Sequence, residues 1–307
     1  VNIEITTTVE SIEQAKQLLE KGIDTLYFGE ETYGLRLPTS FSRTEQQELV
    51  ELAHSYGKKA TIAVNGIMHP DKMATISEYL DFLAQIKVDA ITVGDPGVIY
   101  LLNKGDYPYS FIYDGHTLVT NARQVNFWAK KGAVGAVIAR EVPYEELKAM
   151  SSHLDVWGEI LVYGATCIHQ SKRPLVRNFF SFIQAEESVG KERDLFISEP
   201  KKPETHYSIY EDTHGTHIFA DNDLNLMGQL DKLVESQFTH WKLDGLYTPG
   251  DNFVAIADCF IQARQLIGEG KWTTEQMNRL NEQIEVLHPK GRGLDTGFFL
   301  MDPDEVK

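Results

Sequence analysis

The side chains best able to do chemistry in this 307-residue chain crowd into one short stretch. Between Glu159 and Arg177 it reads E-I-L-V-Y-G-A-T-C-I-H-Q-S-K-R-P-L-V-R, so Cys167, His169, Lys172, Arg173 and Arg177 follow closely on the apolar run from Ile160 to Tyr163. A thiol two residues from an imidazole and flanked by cations has what a nucleophile needs. The imidazole can take its proton, and the positive charge favours the thiolate. The apolar run reads as a strand, and Gly164-Ala165 as a place where the backbone turns sharply or approaches a neighbour. The reactive group then lies in a loop beyond a strand end, where binding and catalytic residues concentrate. The plain alternative is a buried structural thiol that needs no partner.

The elements that must position this loop repeat along the chain. Strand-like runs occur at 3–7, 25–28, 60–64, 90–93, 110–113, 134–139, 159–162 and 239–243. Between them lie helical patterns: one capped by Ser11 and running to about Lys21, then 44–56, 73–86, 97–103, 121–131, 143–150 and 223–236, with 253–266 after the eighth strand. Eight strands with helical crossovers predict an α/β fold, a TIM-like (β/α)8 barrel spanning 1–307 as a single domain. A doubly wound open sheet competes, but Gly94-Asp95-Pro96-Gly97 has the wrong spacing for a dinucleotide fingerprint and marks a turn. The rhythm breaks once, between the seventh and eighth strands. Residues 165–222 form an insertion expected to fold over the mouth as a lid, anchored by Phe179, Phe180 and Phe182. The stretch 272–307 reads as a short helix and a Gly-rich tail whose Phe298-Phe299 pair suggests docking.

In a closed barrel the strand ends gather on one face, so residues distant in sequence become neighbours. Glu30, Asn65, Asp95, Asp114, His116, Arg140, Glu141, Cys167, Lys242 and Asp244 then ring one mouth. Lys242 and Asp244, two apart on a strand, share a face. Each has a plainer reading: Asn65-Gly66 and Asp95-Pro96 are common turn chemistry, and Arg140-Glu141 makes a rim ion pair. His206, His214 and His217 with His169 or Asp221 could hold a metal, but His-x-x-His without the Glu of H-E-x-x-H is a weak pattern. Ordinary loop histidines are the better reading, and no metal site is expected.

Composition is that of a globular protein, 42% hydrophobic and 24% charged. The formal charge of -16 argues against a broad basic surface for nucleic acid, so any RNA contact is expected to be local or supplied by a partner. No apolar run nears the roughly 18 residues that span a bilayer, and V-N-I-E-I-T-T-T does not read as a signal peptide, so a cytoplasmic protein is expected. Two cysteines, Cys167 and Cys259, give no disulfide framework.

The spacing Glu159-x-Leu161-x-x-Gly164-Ala165-x-Cys167 resembles the first half of the signature of the collagenase-like peptidase family, peptidase family U-32. The second half departs from it: where the family continues with Gly, a second Cys and Ser, this chain has Lys172, Pro174 and Arg177. Leu26-Tyr27-Phe28-Gly29, Tyr33-Gly34-Leu35-Arg36 with Phe41, Val64-Asn65, Ala139-Arg140-Glu141, His214-Gly215-Thr216 and Lys242-Leu243-Asp244-Gly245 extend the likeness across most of the chain.

The resemblance implies several things. Many relatives hold an iron-sulfur cluster on four cysteines, the first at the position of Cys167. Here the second position is Pro174 and the fourth aligns with Asn225, so no cluster is expected. The family name implies peptide hydrolysis. Other members assist oxygen-independent hydroxylation with prephenate as hydroxyl source, and one branch acts on the wobble uridine of tRNA. A short member without the cluster cysteines is similar to the smaller of two paired Gram-positive proteins for that step, which implies a cluster-bearing paralogue as partner. Prephenate, a dicarboxylate, would suit Arg36, Asn65, Arg140, Lys172, Arg173, Arg177 and Lys242, with Cys167, His169, Glu141 and Asp244 as the catalytic candidates. A peptidase dependent on Cys167 or a metal, and a non-catalytic scaffold subunit or homodimer, are the competing readings.

Overall fold

Capping side chains set the helices between short apolar strands in the computed structural model, which describes residues 2–306. Ser11 accepts from the amide of Gln14 to start the helix Ile12–Lys21, and Ser42 with Glu45 forms a capping box for Arg43–Ser55. Asp95 caps Pro96–Lys104 through the amides of Gly97 and Val98, so its carboxylate is committed to that helix.

The strands are β1 (Glu4–Thr8), β2 (Thr25–Phe28), β3 (Lys59–Val64), β4 (Ala90–Val93), β5 (Ser110–Tyr113), β6 (Ala133–Val137) and β7 (Trp157–Gly164). Then come β8 (Cys167–Ser171), β9 (Phe196–Glu199), β10 (Lys202–Asp212), β11 (Gly215–Phe219), β12 (Asn222–Asn225), β13 (His240–Leu243) and β14 (Gly293–Asp295). Strands β1 to β7 pair in order and in parallel. β13 closes the ring between β7 and β1, with His240 opposite both Glu159 and Glu4. This is the predicted TIM-like barrel.

Strand alternation divides the side chains in an unusual way. Leu26, Phe28, Ile62, Val64, Ile91, Val93, Ile160, Val162, Trp241 and Leu243 belong to the main apolar core. Their alternates Tyr27, Glu159 and Lys242 face a cavity inside the barrel, with Thr8 and Leu161 beside them. Barrel interiors are ordinarily packed with bulky branched residues. This one is polar at its C-terminal end, which leaves room and charge for a ligand. Lower down, Trp157 stacks on His240 with ring centroids 4.1 Å apart. Gly135 makes that possible, since a Cβ there would lie 2.4 Å from the Trp157 indole.

The insertion is a small layer of its own. Its antiparallel sheet runs β8-β11-β10-β9, and the helix Leu175–Phe182 packs on it through Val176 and Phe180. Three expectations are corrected here. The segment after Gly164 is largely strand β8 rather than loop, because β11 supplies a partner distant in sequence. The aromatic run does not anchor the lid: Phe179 is 57% and Phe182 86% exposed, while Tyr210 and Phe219 pack with Ala165 and Leu246. The expected helix over 223–236 begins only at Leu230, because Asn222–Asn225 pairs antiparallel with the projecting end of β7.

The tail docks. Strand β14 lies parallel to β12, Arg292 clamps the buried Asp223 at 2.7 and 2.9 Å, and the buried Phe299 accepts the Tyr144 amide through its carbonyl at 2.8 Å. Among the described residues no helix is long and apolar enough to cross a membrane.

Candidate active site

The mouth of the barrel and the underside of the insertion enclose a cavity of about 510 Å³. One wall is a hydrogen-bonded chain. Asn65 receives the Leu35 amide at 3.0 Å and donates to Asp114 at 2.8 Å. His116 donates Nε2–H to the Asn65 carbonyl at 2.9 Å and accepts at Nδ1 from Arg36, 3.2 Å away. Arg36 also donates to Gln170 of β8 at 2.7 Å, tying barrel to insertion. Burial alone would raise the Asp114 carboxyl, but His116, Asn65 and Lys242 outweigh it and hold it below its usual range. Burial keeps His116 below its own ordinary value.

The floor carries Lys242, Glu159 and Tyr27. The Lys242 ammonium lies 3.2 Å from the centroid of the Tyr27 ring and 3.9 Å from Glu159 Oε1, an ion pair too long for a hydrogen bond. Glu159 Oε1 is buried without a hydrogen-bond partner, and burial lifts its carboxyl above the ordinary value against the opposing pull of Lys242.

The third wall holds Cys167. Gly164, at φ 131°, lets β7 pass against the backbone of Asp244, where a Cβ would lie 2.4 Å from the carbonyl oxygen. The chain then re-enters the mouth as β8. A bulge sets Cys167 opposite Phe219, His169 opposite Ile218 and Gln170 opposite His217. Directly opposed residues share a face, so Cys167, Gln170, His217 and Phe219 lie on one side and His169 on the other. The base beside the thiol is therefore His217, fully buried, whose Nε2 is 2.8 Å from Asp212 Oδ1. Its Nδ1 has no hydrogen-bond partner, and the thiol donates instead to the His169 carbonyl at 3.3 Å. Burial would raise the thiol, but His217, Arg36 and Arg140 bring it below its usual value. Burial would lower His217, but Asp212 and Cys167 raise it. A thiol, an imidazole and a carboxylate thus lie in the order that a nucleophile, its base and an orienting group require.

Of the residues singled out from sequence, Arg36, Asn65, Arg140, Glu141, Cys167, His169, Lys242 and Asp244 line this cavity. Asp244 turns its carboxylate to the Leu246 amide at 3.0 Å. Lys172, Arg173 and Arg177 do not reach it. They follow β8 outward onto the exposed face of the insertion, where Lys172 donates to the Thr213 carbonyl at 2.8 Å. His169 is corrected from base to cavity rim. Sequence reasoning missed Tyr27, Glu159, Gln170, Asp212 and the role of His217. The signal for His217 was a pairing of β8 with β11 that only the folded chain shows. His214 bonds Lys72 and the Glu31 carbonyl, and His206 lies against Phe196, so the histidines do not converge.

The profile of peptidase family U32 matches residues 10–307. The chain belongs to peptidase family U32. It is similar to tRNA hydroxylation protein P2 of Bacillus subtilis (strain 168), 33% identical over 303 residues that cover 97% of this chain and 98% of that one. With tRNA hydroxylation protein P1 of the same organism it shares 25% identity over 248 residues, 79% of this chain but 58% of the longer protein. The solved structure of the U32 peptidase Mk0906 superposes with a TM-score of 0.50 at 15% identity, covering 79% of this chain and 92% of that one. That likeness concerns the fold.

The iron-sulfur cluster that the family resemblance implies for other members does not fit these residues. Four thiolates are the usual requirement. Cys259 is buried in the helix Asp251–Gly268 outside the barrel, Pro174 has no donor side chain, and Asn225 is bonded to Asn281 at 2.8 Å. Among the described residues no three His, Cys, Asp or Glu side chains converge as a metal site.

Proposed function

We propose that this U32 protein is a subunit of a tRNA hydroxylation system that modifies C5 of the wobble uridine. It works beside a cluster-bearing paralogue, with prephenate as hydroxyl source and no cluster of its own. The observation that carries the reading is the convergence of Arg36, Arg140 and Lys242 on one enclosed mouth, on a chain similar end to end to a tRNA hydroxylation protein. Guanidinium forks bind carboxylates bidentately, and a buried ammonium adds a point charge, so three cations around about 510 Å³ suit a small dicarboxylate. Of the carboxylates that line the same cavity, Asp95 and Asp244 are taken by backbone amides, Asp114 by Asn65, and Glu159 faces Lys242, so the cations suit a small anion rather than a long phosphate track.

Mass spectrometry of nucleosides from bulk tRNA of a deletion strain tests the reading. Loss of 5-hydroxyuridine and its derivatives is the expected result, and unchanged levels reject it. Recovery of a larger, Cys-rich relative with the tagged protein tests the partnership.

A second reading, a cysteine hydrolase, is favoured by the Cys167, His217 and Asp212 arrangement. Gelatin cleavage by purified protein, lost with Cys167→Ala, would promote it above the first.

A further inference from the structure

A thiol poised for nucleophilic attack is surplus to a subunit that only binds a dicarboxylate. Cys167 opens on the cavity, and the groups around it are arranged rather than incidental. His217 is 0% exposed, is held by Asp212 at 2.8 Å, and leaves Nδ1 without a hydrogen-bond partner on the face that carries Cys167. An unpaired nitrogen in a fully buried ring is costly unless something completes it, and the group beside it is the thiol. Arg36 is fixed on the same side by Gln170 and His116. Gln170 Nε2 is itself buried and unpartnered, so the wall offers a donor as well as a nucleophile. The cavity has room for one extruded base, the form in which a nucleobase inside folded RNA becomes accessible to side chains.

The chemistry of uridine then specifies what such a thiol does. C5 of a uracil ring is a poor nucleophile, because its electrons are held in the conjugated C5–C6 double bond. C6 is electrophilic, being β to the C4 carbonyl. We propose that Cys167 adds covalently to C6 of a uridine in the cavity, with His217 as its base and Asp212 orienting the imidazole, an inference that rests on the hydroxylation reading above. The thiol proton passes to His217 Nδ1 and the sulfur forms the S–C6 bond. The C5–C6 π pair moves to C5, delocalised onto O4 as an enolate. Protonation of C5 by the imidazolium gives a 5,6-dihydro adduct. Removal of a C5 proton and expulsion of the thiolate restore the ring, with no net oxidation. C5 is the atom a uridine 5-hydroxylation must functionalise, and the enolate formed on addition, before C5 is protonated, is the state in which it is electron-rich. Arg36 and Gln170 are placed to stabilise the negative O4.

The test uses the protein in its own cell, with any partner present. A deletion strain carrying tagged wild-type protein is fed 5-fluorouracil, whose fluorine makes C6 of the incorporated nucleotide a stronger acceptor for the thiol, and the protein is recovered under denaturing acidic conditions that preserve the thioether adduct. The expected result is an RNA adduct on the recovered protein at Cys167, absent with Cys167→Ser, at least tenfold reduced with His217→Gln, a roughly 1.4 kcal/mol effect, and unchanged with Cys259→Ser. In parallel, Cys167→Ser, which preserves the side-chain shape, is expected to leave the strain without 5-hydroxyuridine. If Cys167→Ser restores the nucleoside, or if wild-type protein yields no adduct in cells that make it, the covalent role is overturned while the hydroxylation reading stands. Unchanged 5-hydroxyuridine in the deletion strain overturns the reading itself.

Discussion

Arg36 and His116, hydrogen-bonded to each other at 3.2 Å on the cavity wall, both hold a left-handed backbone, at φ 52° and 54°. For a residue with a Cβ that conformation costs on the order of 1 kcal/mol. The bonds of His116 to Asn65 and Asp114, and of Arg36 to Gln170, hold the pair in place. Strain of this kind persists where surrounding contacts over-determine it, and such places are commonly functional.

Arg36→Gly and Arg36→Ala separate stability from binding at this strained position. Both remove the guanidinium and are expected to weaken dicarboxylate binding at least tenfold, the effect of losing a charge-assisted bond of about 1.5 kcal/mol. Only glycine relieves the backbone, so Arg36→Gly is expected to exceed Arg36→Ala in stability by about 1 kcal/mol in denaturant titration. Equal stabilities would show that the left-handed residue is unstrained.

The Lys242–Glu159 pair predicts a pH-dependent defect. Burial raises the folded-state value of the Glu159 carboxyl, so its ionisation opposes folding, and the penalty grows as pH rises through that value. Lys242→Met removes the cation that limits the penalty. The variant is expected to lose about 3 kcal/mol at pH 8 and little near pH 4, where the carboxyl is protonated with or without Lys242. Lys242→Met with Glu159→Gln should recover most of the loss. A loss equal at both pH values would mean that packing on Tyr27, rather than charge, is what Lys242 supplies.

How far the site could be read from sequence follows from whether its contacts are local. The eight barrel strands were visible because each is a short apolar run followed by an amphipathic helix, and capping residues such as Ser11 act within three positions. Asn65, Arg140, Lys242 and Asp244 were legible because a barrel delivers every strand end to one rim. The insertion was not, since β8 is satisfied by a strand more than 40 residues on. His169 looked like the base because it is adjacent in sequence. Alternation across the β8–β11 pair, with a bulge at Cys167, gives that place to His217. Lys172, Arg173 and Arg177 looked like a ligand-binding island for the same reason, and the strand carries them outward.

His214 predicts an acid-sensitive latch between barrel and insertion. Lys72 donates to its Nδ1 at 3.0 Å, which leaves Nε2–H to bond the Glu31 carbonyl. Burial, then the Lys72 charge, lowers its pKa to about 4. A histidine lowered on folding adds stability that is fully present above its unfolded value of about 6.5 and is lost as pH falls toward 4, up to about 3 kcal/mol. Denaturation between pH 7 and pH 4 should show that slope in the wild type and a shallower one in His214→Gln. Hydrogen-exchange protection at the β10–β11 turn, corrected for the intrinsic pH dependence of exchange, should fall over the same interval. Identical slopes in the two proteins would assign the acid response elsewhere.

The two cysteines give the site an internal control. Cys167 is held below the ordinary thiol value by His217, Arg36 and Arg140 against burial, whereas burial raises Cys259 to about 11. The thiolate is the reactive form, so iodoacetamide at pH 7 should label Cys167 alone, with a half-maximal rate at a pH under the usual 8.5 or so of a free thiol. His217→Gln removes the proton acceptor and the partner of the thiolate. It is expected to slow labelling at pH 7 roughly tenfold and move the profile upward by about one unit. Asp212→Asn should act in the same direction by a smaller amount, because it loosens the imidazole without removing it. A profile indifferent to His217 but shifted by Arg36→Ala would mean that cationic charge alone lowers the thiol, and the histidine would then be a packing residue.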